Sequence, residues 1–152
     1  MEATNKYVEV RDLIRLRLGK WRKFIVAVDG TDYSGKSTIA RYLGWQLGMS
    51  VVETDLCNKP GVHPIETDPE IFDRLVQGRL KMNRPVIVEG ITVMQSLSDI
   101  GLEPDFLLKM RNIDFNGSRI FQEKLASYAK SHESKRQPDF EILWSSEQEC
   151  ES

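Results

Sequence analysis

The chain has 152 residues, of which 40% are hydrophobic and 29% are charged, and its formal net charge is −2. This length and composition indicate one globular domain, residues 1–152, and exclude a fibrous or low-complexity protein. The slightly acidic balance gives no overall attraction to nucleic acid or to anionic lipid, so nucleic acid is not an expected partner.

The cysteines and the hydrophobic runs restrict the class of protein further. Cys57 and Cys150 are far apart and have no histidines at metal-binding spacing, so neither a disulfide framework nor a zinc site is expected. No apolar run approaches the roughly 18 residues that a membrane span needs, and the N-terminus opens with polar residues instead of a signal core. The sequence therefore predicts a cytoplasmic protein without a membrane partner.

The first predicted elements are a helix and a buried strand. Apolar residues recur at helical spacing and stop before Gly19, which predicts an N-terminal helix within residues 1–20. They are Val10, Leu13, Ile14 and Leu18. Residues 24–28 form an apolar run rich in β-branched side chains, which predicts a strand of a parallel sheet.

The next stretch fits the Walker A pattern G-x-x-x-x-G-K-[ST], the phosphate-binding loop. Its residues, with the one that follows, are Gly30, Thr31, Asp32, Tyr33, Ser34, Gly35, Lys36, Ser37 and Thr38. The two glycines have no β-carbon, so the backbone can come close to a phosphate and consecutive N–H groups can surround its oxygens. Lys36 is expected to reach the β- and γ-phosphates, and the Ser37 hydroxyl to ligate Mg²⁺. A glycine-rich turn with a solvated lysine is the alternative. It is disfavoured by the predicted strand before the loop and by a predicted helix after it, whose apolar residues recur at helical spacing and stop at Gly48. They are Ile39, Ala40, Leu43 and Leu47.

A second strand is predicted at residues 49–54, and Asp55 follows it. In open parallel sheets ligands collect beyond the carboxyl ends of the strands, so Asp55 is expected on the same edge as Lys36. We interpret Asp55 as a catalytic carboxylate in preference to a turn or cap residue. Residues 56–66 form a candidate wall of the acceptor site, and His63 within it is interpreted as an exposed side chain.

A third helix and a third strand come next. Asp68 and Pro69 are typical of a helix start, and a buried stripe is predicted on that helix. The stripe consists of Ile71, Phe72, Leu75 and Val76. Residues 85–88 predict a strand that is closed by Glu89. A carboxylate at the tip of a strand beside the phosphate loop is expected near Mg²⁺, so Glu89 joins Ser37 as a predicted metal ligand; the alternative is a surface acid.

The remaining chain completes an alternating pattern. A short helix over residues 93–100 and a fourth strand at 106–110 predict a parallel α/β sheet of four or five strands with helices on both faces. Residues 112–130 are predicted helical, and residues 131–138 polar and mobile. Residues 139–144 predict a last helix or strand, and residues 147–152 a frayed tail.

These segments together resemble the uridine kinase branch of the small-molecule P-loop kinases, which includes phosphoribulokinase-like enzymes. The similar pieces keep the family's order over about residues 7–111. They are the first helix, VAVDGTDYSGKSTIA at 26–40, Asp55, DPEIFD at 68–73 and VIVEGI at 86–91. The resemblance implies a P-loop NTPase-type fold with a five-stranded core, a lid at residues 112–138, and γ-phosphoryl transfer from Mg-ATP to a hydroxyl of a nucleoside or other small metabolite. By position it implies Asp55 as the base and Glu89 as the acid near the metal.

Two departures from the family pattern stand out. Asp68 occupies a position where the family usually has histidine, which bears on nucleoside recognition. The lid region contains scattered basic residues where the family has an R-x-x-R-R cluster. They are Arg111, Arg119, Lys124, Lys135 and Arg136. Arg119 is the residue of this set that we expect at the phosphates, and one well-placed arginine can contribute about 10³ to 10⁵ in rate.

The leading hypothesis is thus a small-molecule phosphotransferase that uses ATP and Mg²⁺. The alternative is a nucleotide-binding regulatory protein with little or no transfer activity, which fits the short chain and sparse lid. A GTPase switch is disfavoured because residues 58–61 lack the aspartate of N-K-x-D. A polynucleotide kinase would share the donor site, and the acidic net charge counts against it. The sequence leaves the acceptor and the oligomeric state open.

Overall fold

A sheet of five parallel strands forms the centre of the molecule. The computed structural model describes residues 2–61, 66–133 and 135–145. The strands are β1 (Ile25–Asp29), β2 (Ser50–Glu53), β3 (Val86–Gly90), β4 (Phe106–Asn112) and β5 (Phe140–Trp144). The α-helices are α1 (Glu2–Leu18), α2 (Lys36–Leu47), α3 (Pro69–Leu80), α4 (Val93–Asp99) and α5 (Gln122–Tyr128). Shorter helical turns cover Thr54–Cys57, Arg119–Phe121 and Ala129–Glu133.

The strand order is β2-β3-β1-β4-β5, so β1 lies in the middle of the sheet. The chain builds the β3 and β2 side first and then crosses to the β4 and β5 side. The carboxyl end of β1 is therefore the point where the strand order reverses, which is where open α/β sheets form a ligand crevice. This order places the loop at residues 30–35 at that crevice.

Each face of the sheet carries its own hydrophobic core. On one face the helices α1 and α2 pack against alternate strand residues such as Val26, Val28 and Leu108. On the other face α3 and α4 cover Ala27, Val88 and further residues of the opposite alternation. Because both faces are buried, the central strands read as continuous apolar runs in the sequence. The predicted α/β fold with helices on both faces is confirmed.

Several element ends follow from local chemistry. The Asp68 side chain accepts a hydrogen bond from the N–H of Glu70 at 2.9 Å, so it caps α3 as the sequence predicts. Gly48 ends α2 with φ of 67°, and Gly101 follows α4 with φ of 73°. Left-handed backbone of this kind favours glycine, which explains why both helices stop there.

Two aspartates set the register of the sheet at its amino edge. Asp105 precedes β4, and its carboxylate accepts the N–H of Ile25 at 2.8 Å, while its own N–H donates to the Ile25 carbonyl at 2.8 Å. Asp139 precedes β5 and makes the same pair of bonds with Leu107, also at 2.8 Å. Asp105 therefore fixes the first residue of β1, and Asp139 fixes the second residue of β4.

The structure differs from the sequence predictions in three places. The helix predicted over residues 112–130 is wrong for its first part, since β4 runs to Asn112 and the α-helix begins only at Gln122. Residues 140–144 are a strand, the fifth, where the sequence left helix or strand open. The stripe on α3 is narrower than predicted, because Phe72 and Val76 are buried while Ile71 and Leu75 remain exposed.

Some predicted features fall outside the described residues. They are His63, the tail at residues 147–152, Cys150, and Ser134 within the polar stretch. Among the helices that the structure describes, none combines the length and apolar character needed to cross a membrane.

Candidate active site

The loop between β1 and α2 turns sharply at two residues with positive φ. Gly35 has φ of 82° and precedes α2, and Tyr33 has φ of 60°. The Gly35 carbonyl accepts the N–H of Ile39 at 3.1 Å, so helical bonding begins directly after the loop. Lys36 is the first residue of α2 and is 8% exposed. Lys36 therefore lies at the N-terminus of α2, where the first N–H groups of a helix lack helical partners. This arrangement suits phosphate binding.

Gly30 is required by close contact with β4. A β-carbon at this position would lie 2.7 Å from the backbone carbonyl oxygen of Met110 and would also collide with Ser34 Oγ. Both distances are too short for any side chain. The glycine thus lets the loop rest directly on the neighbouring strand.

The other predicted loop residues differ in exposure. Ser34 is fully buried. Thr31 is half-buried and Thr38 is exposed. The structure therefore brings Ser34 into the loop interior and leaves Thr38 on the outer surface of α2.

Ser37 and Glu89 are brought together across α2 and β3. The Ser37 hydroxyl donates to Glu89 Oε1 at 3.1 Å, and Glu89 is 1% exposed. The second oxygen, Oε2, has no hydrogen-bond partner among the residues that the structure describes. A buried carboxylate oxygen left in this state is costly in an apolar setting and suits a cation or a water ligand. This carboxylate and hydroxyl fit the oxygen ligands that Mg²⁺ prefers.

The surroundings of Glu89 shift the pKa of its carboxyl in both directions. Burial raises the pKa of its carboxyl, while the nearby Lys36 ammonium and the Ser37 hydrogen bond lower that pKa. The negative charges of Glu53 and Asp55 raise the pKa further, and the net direction is upward. A cation bound beside Glu89 would relieve this repulsion, because it would favour the charged form.

The described residues contain no cluster of three or more histidine, cysteine, aspartate or glutamate side chains able to hold a metal ion. Mg²⁺ is commonly bound by one or two carboxylates together with waters and substrate phosphates. A Ser37–Glu89 pair completed by phosphate oxygens is therefore a chemically adequate set.

Asp55 lies at the same edge, in the turn Thr54–Cys57 that follows β2. Its side chain is exposed, and its charge acts on Glu89. The preceding Thr54 is 5% exposed and packs against Gly90. A β-carbon at Gly90 would lie 2.8 Å from Thr54 Cγ2 and would overlap the Thr54 hydroxyl. The glycine after Glu89 is thus needed for the approach of the turn that carries Asp55.

A buried ion pair lies on the α4 side of the sheet, and no local pattern in the sequence predicts it. Lys109 Nζ lies 3.2 Å from Asp29 Oδ2, with side-chain exposures of 13% and 4%. The two residues face each other in the β1–β4 register. A charged residue in each of two apolar runs suggests an ion pair between them. Which two residues pair follows only from the register of the two strands.

A small cavity of about 130 Å³ lies on this same face. Its polar lining includes Asp29, Lys109, Arg111, Tyr128, His132 and Arg136. The cavity is on the α4 side of the sheet, whereas Ser37 and Glu89 meet on the α2 side. It is therefore separate from the predicted phosphate site.

The phosphate loop is joined to the segment that follows β4. Asp32 accepts the N–H of Ser118 at 2.9 Å on Oδ1 and 3.2 Å on Oδ2, and it also accepts the Ser118 hydroxyl. Asn112 Nδ2 donates to the Tyr33 carbonyl at 3.2 Å. The Tyr33 and Phe115 rings meet edge to face, with centroids 5.5 Å apart. The sequence gives no signal for Ser118, since it bonds a residue 86 positions away.

Two of the five basic residues of the predicted lid form contacts away from the phosphate loop. Arg111 pairs with Glu141 at 3.3 Å, and Arg136 donates to the Pro104 carbonyl at 2.6 Å. Burial lowers the pKa of Lys124, and the nearby Glu66 offsets part of that effect.

Arg119 is exposed and forms no ion pair with the described part of the chain. It directly follows Ser118, which is bonded to the phosphate loop.

Solved structures of kinases have the same fold. A possible uridine kinase from Bacillus stearothermophilus matches with a TM-score of 0.65 at 16% identity, over 93% of this chain and 100% of that chain. A protein from Silicibacter sp. TM1040, provisionally assigned as a fructose transport system kinase, matches with a TM-score of 0.58 at 16% identity, over 90% and 98% of the two chains. No protein-family model and no curated protein matches the sequence. The resemblance to P-loop kinases is thus confirmed at the level of the fold.

Proposed function

We propose that the protein is a phosphotransferase that moves the γ-phosphoryl group of Mg-ATP to a hydroxyl of a small molecule. The observation that carries this proposal is the Ser37–Glu89 pair beside Lys36 and the loop, in which Glu89 Oε2 is buried and has no partner among the described residues. A loop that only completed a turn would not need a desolvated carboxylate next to a lysine. The shared fold with solved kinases supports the same conclusion.

In this proposal each residue has a separate task. The amides of residues 30–37 and Lys36 hold the phosphates, and Ser37 and Glu89 provide oxygen ligands for Mg²⁺. The cation, when bound, neutralises charge on the phosphate oxygens. Asp55 orients the acceptor hydroxyl and takes its proton, while the acceptor oxygen forms a bond to the γ-phosphorus and the bond to the ADP oxygen breaks.

The proposal assigns the acceptor to a nucleoside or a related metabolite. The wall of that site would be the loop after β2, in which Asn58 and Thr67 form an antiparallel bridge and Lys59 N–H donates to the Glu66 carbonyl at 2.8 Å. These contacts join the two ends of the loop, and Asn58 directly follows the turn Thr54–Cys57 that carries Asp55. A cytidine- or uridine-like acceptor is one member of this class, and a sugar or vitamin-like alcohol is another.

The test is an acceptor panel with Mg-ATP, read by mass spectrometry of the products. We expect one class of alcohol to be phosphorylated, with transfer reduced about 10²- to 10⁴-fold in Asp55→Asn because a general base is removed. Asp99→Asn, which changes an exposed aspartate of α4, is the control and should retain transfer. ADP release that needs no acceptor and is the same in Asp55→Asn would contradict the proposal.

The alternative function is nucleotide binding with little or no transfer. The observation in its favour is the engagement of Arg111 and Arg136 in contacts away from the phosphate loop. Calorimetry that measures ATP binding, lost in Lys36→Ala, with no product for any acceptor would support this alternative. A single phosphorylated product would exclude it.

A further inference from the structure

The Asp32 carboxylate is an unexpected group in a loop that binds phosphate. A negative charge next to a triphosphate repels it, so Asp32 weakens nucleotide binding if it acts alone. In the structure the carboxylate receives hydrogen bonds from both the backbone N–H and the hydroxyl of Ser118. Its hydrogen bonds are therefore made to the segment after β4.

We infer that Asp32 is a positioning residue that fastens residues 113–121 to the phosphate loop and so holds Arg119 beside it. Hydrogen bonds to a carboxylate are stronger than those between neutral groups, so the bonds to Asp32 attach this segment more strongly than the Asn112–Tyr33 bond does. The Asn112–Tyr33 hydrogen bond and the Tyr33–Phe115 ring contact act in the same direction.

Gly117 supports this assignment because the backbone at this residue passes close to the Asp32 carboxylate. Its φ is 101°, which other residues rarely adopt, and a β-carbon there would lie 3.2 Å from Asp32 Oδ1 and 2.8 Å from Leu125 Cδ1. The chain thus passes so near the carboxylate that a side chain would not fit without movement. The N–H of the next residue, Ser118, is thereby directed at Asp32.

The attachment restricts the position of Arg119. It follows Ser118 directly, it is exposed, and it has no ion-pair partner among the residues described. A long side chain on an unattached segment would lose entropy on reaching the phosphoryl group in the transition state, and prior attachment removes part of that cost. The kinetic part of this inference rests on the proposed phosphotransfer, whereas the attachment itself does not.

Hydrogen exchange measures the attachment without reference to activity. In Asp32→Ala the backbone amides of residues 113–121 are expected to exchange about tenfold faster or more, because hydrogen bonds to a charged group are lost. Ser118→Ala should show a smaller increase, since the backbone N–H donor remains. Ser118→Thr keeps the hydroxyl and should exchange like the wild type. Unchanged exchange in Asp32→Ala would overturn the inference.

Kinetics then separates positioning from damage to the loop. We expect kcat to fall about tenfold or more in Asp32→Ala, while calorimetric ATP affinity is unchanged or tighter because a repulsive charge has gone. A parallel loss of ATP affinity and kcat would mean that the carboxylate supports the loop itself, which overturns the inference.

A double-variant cycle tests the link to Arg119. If Asp32 acts through Arg119, then Asp32→Ala in an Arg119→Ala background lowers kcat little further, whereas fully additive losses would overturn this link. Should the wild type phosphorylate no acceptor, the proposed function fails, and the exchange rates of residues 113–121 still decide whether Asp32 fastens them.

Discussion

At the scale of single residues, Glu89 shows how the candidate site uses a group that folding alone disfavours. Its carboxyl is buried, one of its oxygens is unpartnered within the described residues, and burial raises its pKa. A raised pKa means that the ionised form is less favourable in the folded than in the unfolded chain. The contribution of this group to stability is therefore present at low pH and is lost as the pH rises through the raised pKa.

The first prediction concerns Glu89→Gln. The variant keeps the size of the side chain and a hydrogen bond to Ser37, but it removes the charge. We expect Mg²⁺-dependent nucleotide affinity to fall about tenfold or more. The free energy of unfolding of the ligand-free protein at neutral pH should not fall, because a desolvated charge has been removed. Calorimetry with and without Mg²⁺ and urea unfolding measure these effects.

Glu103→Gln, which neutralises an exposed acid before β4, is the matched control for Glu89→Gln. It should leave Mg²⁺ dependence unchanged. A stability loss in Glu89→Gln with normal Mg²⁺ dependence would show that the carboxylate is structural.

At the scale of elements, the join between β3 and the turn Thr54–Cys57 determines where Asp55 lies. Gly90 and Thr54 are in direct contact, and the contact exists because position 90 lacks a β-carbon. A change at position 90 therefore acts on Asp55 through Thr54. The phosphate loop, which contacts β4 at Gly30, is not part of this path.

The second prediction compares two glycine substitutions. Gly90→Ala is expected to lower the free energy of unfolding by about 1 to 3 kcal/mol, since the new methyl group overpacks Thr54. Phosphoryl transfer should fall while ATP affinity is retained. Gly78→Ala is the control: it lies inside α3 with nothing within 4 Å of the new atom, and it should raise stability by about 0.5 to 1 kcal/mol. Equal effects of the two changes would contradict this account.

At the scale of the whole molecule, Asp139 connects the two ends of the described chain. Its carboxylate accepts from Arg17 of α1 at 2.7 Å and from the N–H of Leu107 in β4, and Arg136 lies 3.3 Å away. Burial alone would raise the pKa of Asp139, but the Leu107 hydrogen bond and the two arginines outweigh it, so the pKa is lowered. This group stabilises the fold only while it is ionised.

The third prediction is a pH dependence of stability. Asp139, whose pKa is lowered in the folded state, stabilises the fold at pH values above the ordinary aspartate pKa of 3.8. This contribution is lost as the pH falls below 3.8 toward the pKa of the folded state. Asp139→Asn should therefore be destabilised by about 1 kcal/mol or more at neutral pH, and the difference from wild type should shrink below pH 3.8. Denaturant unfolding at a series of pH values measures it. A difference that is constant down to the acid range would refute the linkage.

Much of this architecture follows from the sequence, because apolar runs and helix ends are local signals. The central strands are predicted from their buried runs, and α3 from Asp68 and Pro69. The segment after β4 is not, because Ile120, Phe121, Leu125 and Tyr128 have helical spacing, while Gly117 and the bond to Asp32 hold its first part out of a helix.

The last strand and the site were predictable to different degrees. A five-residue segment with four apolar residues does not distinguish strand from helix, and residues 140–144 become a strand by pairing with β4. The positions of Ser37, Asp55 and Glu89 at one edge follow from chain order in a parallel sheet. The Asp29–Lys109 and Asp32–Ser118 contacts depend on register and on loop paths, which no short pattern encodes.

Asp105 and Asp139, which set the register, stand at the opposite end of the strands from Lys36. β1 has five residues, so roughly 15 Å separates the two ends, which exceeds the Debye length of about 8 to 10 Å in physiological salt. Acidic groups needed for strand alignment thus exert little force on an incoming polyanion. We therefore expect that stability and affinity for an anion at the proposed phosphate site can be tuned independently, by substitutions at opposite ends of the strands.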